Sequence, residues 1–204
     1  MTDDAPPPRL APLPRARWDD DAIDALHRAY PKHVVDRWLS TGPDARPVPT
    51  AIGTMLHHPA LAGAWLAYNN VLLWSPALDD RLRELMVLRV AWRTRAKYEW
   101  VQHVRLSQRY GVTSADVDAV ATGDGRDAWT PLERDLVAAT DELIDGYRVA
   151  DDTWARLAEQ LDEHQLVELV FIVGTYTSLA MVFNSFGLQL EAGIDTSEMP
   201  LPPD

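Results

Sequence analysis

Arg81-Leu-Arg-Glu-Leu-Met-Val-Leu-Arg-Val-Ala-Trp-Arg-Thr-Arg-Ala-Lys-Tyr-Glu-Trp-Val-Gln-His103 reads as parts of two consecutive helices. Plotted at about 100° per residue, Gln102, Arg105 and Arg109 of the second helix share one narrow sector, its wet face. Leu106, Tyr110, Trp100 and Val104 lie opposite, and Glu99 and His103 fall inside that apolar arc. On the first helix the same construction sets Glu84 between Ala91 and Leu88, with Trp92 and Leu85 further round the arc. Glu99 and His103 are four residues apart, a spacing that brings them within reach of one another as a hydrogen-bonded acid and base. A charged group is seldom buried unless paired, because desolvating an unpaired carboxylate costs several kcal/mol or raises its pKa until it is neutral. Three ionisable groups facing inward therefore imply a cavity.

A plainer account stands beside this one. Glu99 and His103 also fit a structural pair, with Glu84 holding Arg81, Arg89 or a backbone amide. By ligand type Glu84, Glu99 and His103 suit a metal, but no second His lies near them in sequence, and no metal is expected. His57 and His58 read as a helix end, and Trp65, Trp74, Trp92 and Trp100 as core and pocket wall.

Outward from this segment the punctuation is helical. Ser75 precedes Pro76, Thr130 precedes Pro131 with Glu133 at the capping-box position, and Asp162 is followed by Gln165 three residues on. Helices are expected over 19–30, 32–40, 49–57, 59–74, 77–94, 97–110, 114–121, 131–147, 152–161 and 163–190, the last broken near Gly174 or Gly187. No stretch of real length alternates apolar and polar residues with a period of two, so the fold class is all-α, a single-domain helical bundle. Five of the fifteen prolines lie in the first 17 residues and Pro200, Pro202 and Pro203 close the chain. The expected division is an N-terminal Pro-rich arm at 1–17, a helical domain at 18–196 and a tail at 197–204.

Composition narrows the chemistry. Acidic residues outnumber basic ones 31 to 19, a net charge of −12 that disfavours a grip on phosphate backbones or anionic lipid. Neither nucleic acid nor membrane is an expected partner. The absence of cysteine removes a thiolate zinc site, a disulfide framework and a cysteine nucleophile. It fits a reducing compartment, and with no export signal visible at the N-terminus the cytoplasm is the expected location. Leu169–Leu190 is uncharged and long, yet Gly174, Thr175, Thr177, Ser178, Asn184, Ser185, Gly187 and Gln189 interrupt it, as in a buried core or interface helix.

Arg83-Glu84-Leu85, Tyr98-Glu99-Trp100, His103 and then Gly111-Val112 with a short acidic helix resemble the carboxymuconolactone decarboxylase family, which includes the alkylhydroperoxidase D-type proteins. The similarity is clearest over 79–122 and extends from about Pro47 to Glu191. Asn69, Tyr176 and Asn184 also resemble positions such proteins use. In the peroxidase branch a Glu is followed by Cys-x-x-Cys and a His four residues after the second cysteine. Here Glu84 and His103 match the Glu and the His, while Ala96 and Glu99 occupy the cysteine positions. The chain thus resembles the cysteine-free branch, in which proton transfer replaces thiol exchange. Arg95 departs from relatives that often place Gly there.

The resemblance implies a helical homo-oligomer, a trimer or a hexamer, with sites near subunit contacts. The function expected is a cofactor-independent lyase or isomerase acting on a small molecule, a lactone or other activated carbonyl compound. Its expected catalytic residues are Glu84, Glu99 and His103. Tyr98, Trp100, Arg89, Asn69, Tyr176 and Asn184 are expected to bind substrate, with Arg89, Arg93 or Arg95 available to hold a substrate carboxylate. The extra arm and the helices before Pro47 point away from carboxymuconolactone itself, which leaves an arylated or polycyclic lactone, or another activated carbonyl compound, as the expected substrate. The rival reading is a non-catalytic helical oligomer that binds a hydrophobic small molecule or a protein partner.

Overall fold

The computed structural model describes residues 7–74 and 76–203, and no strand occurs among them. The helices are α1 (Asp20–Ala29), α2 (Lys32–Leu39), α3 (Thr50–Met55), α4 (Pro59–Trp74), α5 (Asp80–Arg93), α6 (Lys97–Ser107), α7 (Ser114–Thr122), α8 (Pro131–Gly146), α9 (Asp151–Ala158) and α10 (Glu163–Phe186). The all-α expectation holds. The chain divides into two compact units, residues 1–75 with 186–194 and residues 76–185 with 195–204.

In the first unit α1 lies on α4. Gly63 permits the close approach, since a Cβ there would stand 3.1 Å from the Ala25 Cα. Ala22, Ala25, Leu26, Val35, Ile52, Leu56, Ala62 and Leu66 form the core, rimmed by Trp18, Trp38 and Trp65. Burial lifts the Tyr30 hydroxyl to about 12, and its ring meets Trp38 edge-on at 4.9 Å. The described part of the Pro-rich arm is tied to this unit. Arg9 N–H donates to the Phe186 carbonyl at 2.8 Å and Leu13 N–H to the Gly53 carbonyl at 2.9 Å, while the Trp18 indole reaches the Leu13 carbonyl at 3.0 Å.

The second unit is built round α5, which packs against α6, α7 and α8, with α9 on α8. From Arg83 to Ala91 every residue of α5 is buried, the pattern of a helix enclosed on all sides. The helix begins at Asp80 rather than at 77, because the Asp79 carboxylate caps it by accepting from Arg81 N–H at 2.8 Å. The Ser75 signal lies outside the described residues. Capping boxes form at Thr113/Asp116 and Thr130/Glu133, and Asp162 and Gln165 exchange hydrogen bonds. One arginine joins both boxes: Arg81 donates to Glu133 at 2.7 Å, to Asp116 at 2.8 Å and to the Gly111 carbonyl at 2.6 Å.

Helices α6 and α10 end before the positions read from the sequence, 110 and 190. The α-helix of α6 ends at Ser107, and Gln108–Tyr110 tighten into a 3-10 turn closed by Gly111 at φ +78°. Helix α10 runs through Gly174 without a break and ends at Phe186, where Gly187 turns left-handed at φ +64°. By length and composition α10 is able to cross a membrane, and half of its most apolar stretch is buried within the protein. Between α5 and α6, Arg95 adopts φ +58°, a left-handed conformation that glycine enters without strain.

Candidate active site

Helix α5 delivers Glu84 and helix α6 delivers Glu99 and His103, all in the second unit. Glu84 has no solvent exposure and Glu99 has 1%, while 13% of the His103 side chain reaches solvent. The inward orientation read from the helical wheel is what the structure has.

The hydrogen bonding differs from the expected pair. His103 Nδ1 lies 2.7 Å from Glu84 Oε2, so the imidazole joins the carboxylate 19 residues away and not the one four residues away. Both oxygens of Glu99 are buried without a hydrogen-bond partner among the described residues. Glu84 Oε1 accepts from Arg83 Nε at 3.3 Å and Nη2 at 3.1 Å. Neither Arg81 nor Arg89, the partners considered for Glu84, takes that place. Arg83 is itself buried, also bonds Asp80, and stands 5.4 Å from the centre of the Tyr110 ring.

The two carboxyl groups are consequently driven apart. Burial alone would raise the Glu84 carboxyl, but His103 and Arg83 outweigh it and hold the group below its ordinary value of 4.5. Glu99 has only burial acting on it, which pushes its carboxyl well above 4.5. The two environments thus act in opposite directions on two carboxyl groups of neighbouring helices, the kind of divergence that acid and base chemistry uses.

Of the residues expected to bind substrate, Tyr176 meets the His103 ring edge-on at 5.2 Å. Tyr98 packs against Phe183 at 5.2 Å, and Trp100 against Trp92 at 5.0 Å. The Trp100 indole donates to the Pro200 carbonyl at 2.6 Å, fastening the C-terminal tail. Asn184 donates to the Thr94 carbonyl at 2.8 Å. Asn69 belongs to the first unit, on α4, where it is buried and its Oδ1 has no partner among the described residues. Arg89 is engaged within the fold: Nε and Nη2 each reach Asp141 at 2.7 Å and Nη1 reaches the Val120 carbonyl at 2.6 Å. Arg93 similarly pairs with Asp141 at 2.6 Å and Asp145 at 2.7 Å. Arg89 and Arg93 thus knit α5 to α7 and α8 and are not presented to a substrate carboxylate.

A cavity of about 380 Å³ adjoins α6, lined by Val104, Arg105, Gln108, Val117 and the tail residues Met199 and Pro200. His103 is not among its lining residues. The described residues hold no cluster of three or more His, Asp or Glu side chains arranged to bind a metal. Arg83 is the site residue that sequence reasoning missed. Its signal was the run of apolar residues from Leu85, which leaves α5 no wet face on which an arginine at 83 could stand.

A sequence model of the carboxymuconolactone decarboxylase family matches residues 59–142. No curated protein gives a match to the chain. Among solved structures, the debrominase Bmp8 in complex with 2,3,4-tribromopyrrole aligns with a TM-score of 0.70 at 17% identity, over 93% of this chain and 95% of its own. An uncharacterized peroxidase-related protein from Ralstonia eutropha JMP134, described as an alkylhydroperoxidase AhpD core, gives 0.69 at 19% identity over 91% and 94%. A peroxidase-related protein from Silicibacter sp. TM1040 gives 0.69 at 11% identity over 87% and 96%. At these identities the structural likeness speaks for the fold, and the family match speaks for the segment that carries Glu84, Glu99 and His103. Residues 59–142 thus match the carboxymuconolactone decarboxylase family model, on an all-helical fold like that of the AhpD-like structures and in a chain without cysteine.

Proposed function

We propose that the protein is a cofactor-independent lyase or isomerase that moves a proton next to the carbonyl of a lactone or other activated carbonyl substrate. The observation that carries this reading is the divergent pair of carboxyl groups on α5 and α6: Glu84 bonded to His103 and Arg83 and held low, and Glu99 buried with both oxygens lacking a partner among the described residues and pushed up. A purely structural pair has no use for a third, unpartnered carboxyl one turn from the imidazole. With Nδ1 occupied by Glu84, Nε2 is the His103 atom left to accept a proton from the carbon beside the carbonyl. Glu99 supplies a proton to the resulting enolate, directly or through one water. Where the substrate carries a labile carboxyl group, loss of carbon dioxide generates the same enolate and Glu99 has the same task. A thiol cycle is chemically closed to a chain with no cysteine. Tyr176 meets the imidazole edge-on and limits its movement.

The test is exchange of substrate C–H for deuterium in heavy water across a panel of lactones and activated ketones, followed by NMR. His103→Ala and Glu99→Gln should each slow exchange by about a hundredfold with the fold intact, the range a positioned acid or base supplies. Variants whose exchange falls only in proportion to folded protein would overturn the mechanism and favour a non-catalytic binding role. The reading includes a homo-oligomer, supported by Val167, Phe171 and Met181, which are more than half exposed along α10. A single monomeric boundary in sedimentation velocity at micromolar concentration would remove that part.

A further inference from the structure

Arg83 is a fully buried cation that the chemistry above does not touch. Its placement decides what His103 is able to do. A carboxyl group with no solvent exposure tends to keep its proton, and a protonated Glu84 would donate that proton toward Nδ1. An imidazole accepting at Nδ1 carries its own hydrogen on Nε2, the atom required to take a proton from substrate. The same two side chains at the same 2.7 Å separation are thus either a working base or a blocked one.

Arg83 opposes the second arrangement. Two of its N–H groups donate to Glu84 Oε1 at 3.3 and 3.1 Å, and that oxygen accepts most strongly as part of a carboxylate. Its charge also favours the carboxylate over the neutral acid. Oε2 is left as an acceptor, and His103 Nδ1 is left to donate to it. The guanidinium is in turn held by Asp80 on its own helix and by the face of Tyr110, so its direction does not depend on solvent. The charged and titratable groups in this set are Asp80, Arg83 and Glu84 on α5, Glu99 and His103 on α6, and Tyr110 beyond it.

We propose that Arg83 is the positioning residue of the site, setting the direction of the Glu84–His103 hydrogen bond and thereby keeping Nε2 of His103 free to accept a proton. This rests on His103 acting as the base. It adds that the tautomer is imposed by a residue that never meets the substrate.

The experiment is nitrogen-15 NMR of the full-length chain labelled at histidine, with His103 assigned among the six histidines by its loss in His103→Gln. At a pH where the ring is neutral, the wild type should show one tautomer, protonated at Nδ1 with a bare Nε2. In Arg83→Met, His103 should shift to the Nε2-protonated or averaged pattern, and Arg83→Lys should restore part of the wild-type signal. Substrate C–H exchange should fall by about tenfold or more in Arg83→Met with KM unchanged. A folded Arg83→Met that keeps the Nδ1-protonated tautomer overturns the proposal. If that variant does not fold, the wild type decides. The Arg83 Nε–H should be protected from solvent exchange and His103 held in one tautomer, and a rapidly exchanging Nε–H or a mixed tautomer refutes the role. The tautomer readout needs no substrate, so inactivity of the wild type on every compound would defeat the catalytic reading while leaving this result standing.

Discussion

Replacing Glu99 by Gln tests the protonation state on which the site depends, without requiring a substrate. In the folded protein burial raises the Glu99 carboxyl well above 4.5, whereas in the unfolded chain it titrates near that value. Above that value the unfolded state gives up a proton that the folded state retains. The stabilisation is therefore present in full below pH 4.5 and is lost as pH rises toward the folded pKa. The loss approaches about 1.4 kcal/mol per pH unit. Gln is close in size and neutral at every pH, so its packing and desolvation terms displace the stability curve vertically and leave no slope. Urea denaturation of the wild type and Glu99→Gln, followed by circular dichroism at half-unit pH intervals, should show the variant gaining on the wild type at up to that rate as pH rises. The pH at which the difference levels off is the folded pKa. Parallel curves, with a constant difference from pH 5 to 7, would mean that Glu99 is ionised in the native state and that the proposed proton donor does not exist.

Two further predictions concern the scaffold. Gly123→Ala should destabilise the protein by about 2 kcal/mol in the same urea assay. Gly123 sits at φ +76°, and a Cβ there would lie 2.9 Å from Arg89 Nη2, pressing the guanidinium off Asp141 and the Val120 carbonyl. Loss under 0.5 kcal/mol would show that Arg89 does little to join α5, α7 and α8. Tyr147→Gly should do the reverse and raise the melting temperature, adding up to about 1 kcal/mol. Tyr147 caps α8 at φ +58° with its side chain 90% exposed, so glycine relieves the left-handed strain while little packing is lost. A lower melting temperature would contradict that account.

What the sequence by itself determined is local. Capping residues at Thr130 and Asp162 place helix starts because their side chains bond amides three residues on, whatever the rest of the chain does. The all-α class follows from a period near 3.6, and the inward facing of Glu84, Glu99 and His103 follows from the same period, since the polar sector of each helix is visible in the sequence. The fold class and the family resemblance were legible for these reasons.

Only the tertiary structure decided the partners. A spacing of four residues brings Glu99 near His103, but a hydrogen bond also needs direction, and the packing of α5 on α6 offers Glu84 Oε2 to the imidazole at 2.7 Å. The same packing buries Arg83 beside Glu84, although neighbours on a helical wheel are about 100° apart and seem to face different ways; the arginine's long side chain spans that angle. A guanidinium suits a carboxylate, and on sequence alone Arg89 reads as a substrate ligand. The carboxylate it meets is Asp141, 52 residues away on α8. Likewise the described residues of the Pro-rich arm bond Phe186 and Gly53 in the first unit. Helical periodicity fixes which way a side chain points from its own axis, and the distances that turn three inward residues into one carboxyl held low, one carboxyl raised by burial and one hydrogen-bonded imidazole arise between helices, where no local pattern encodes them.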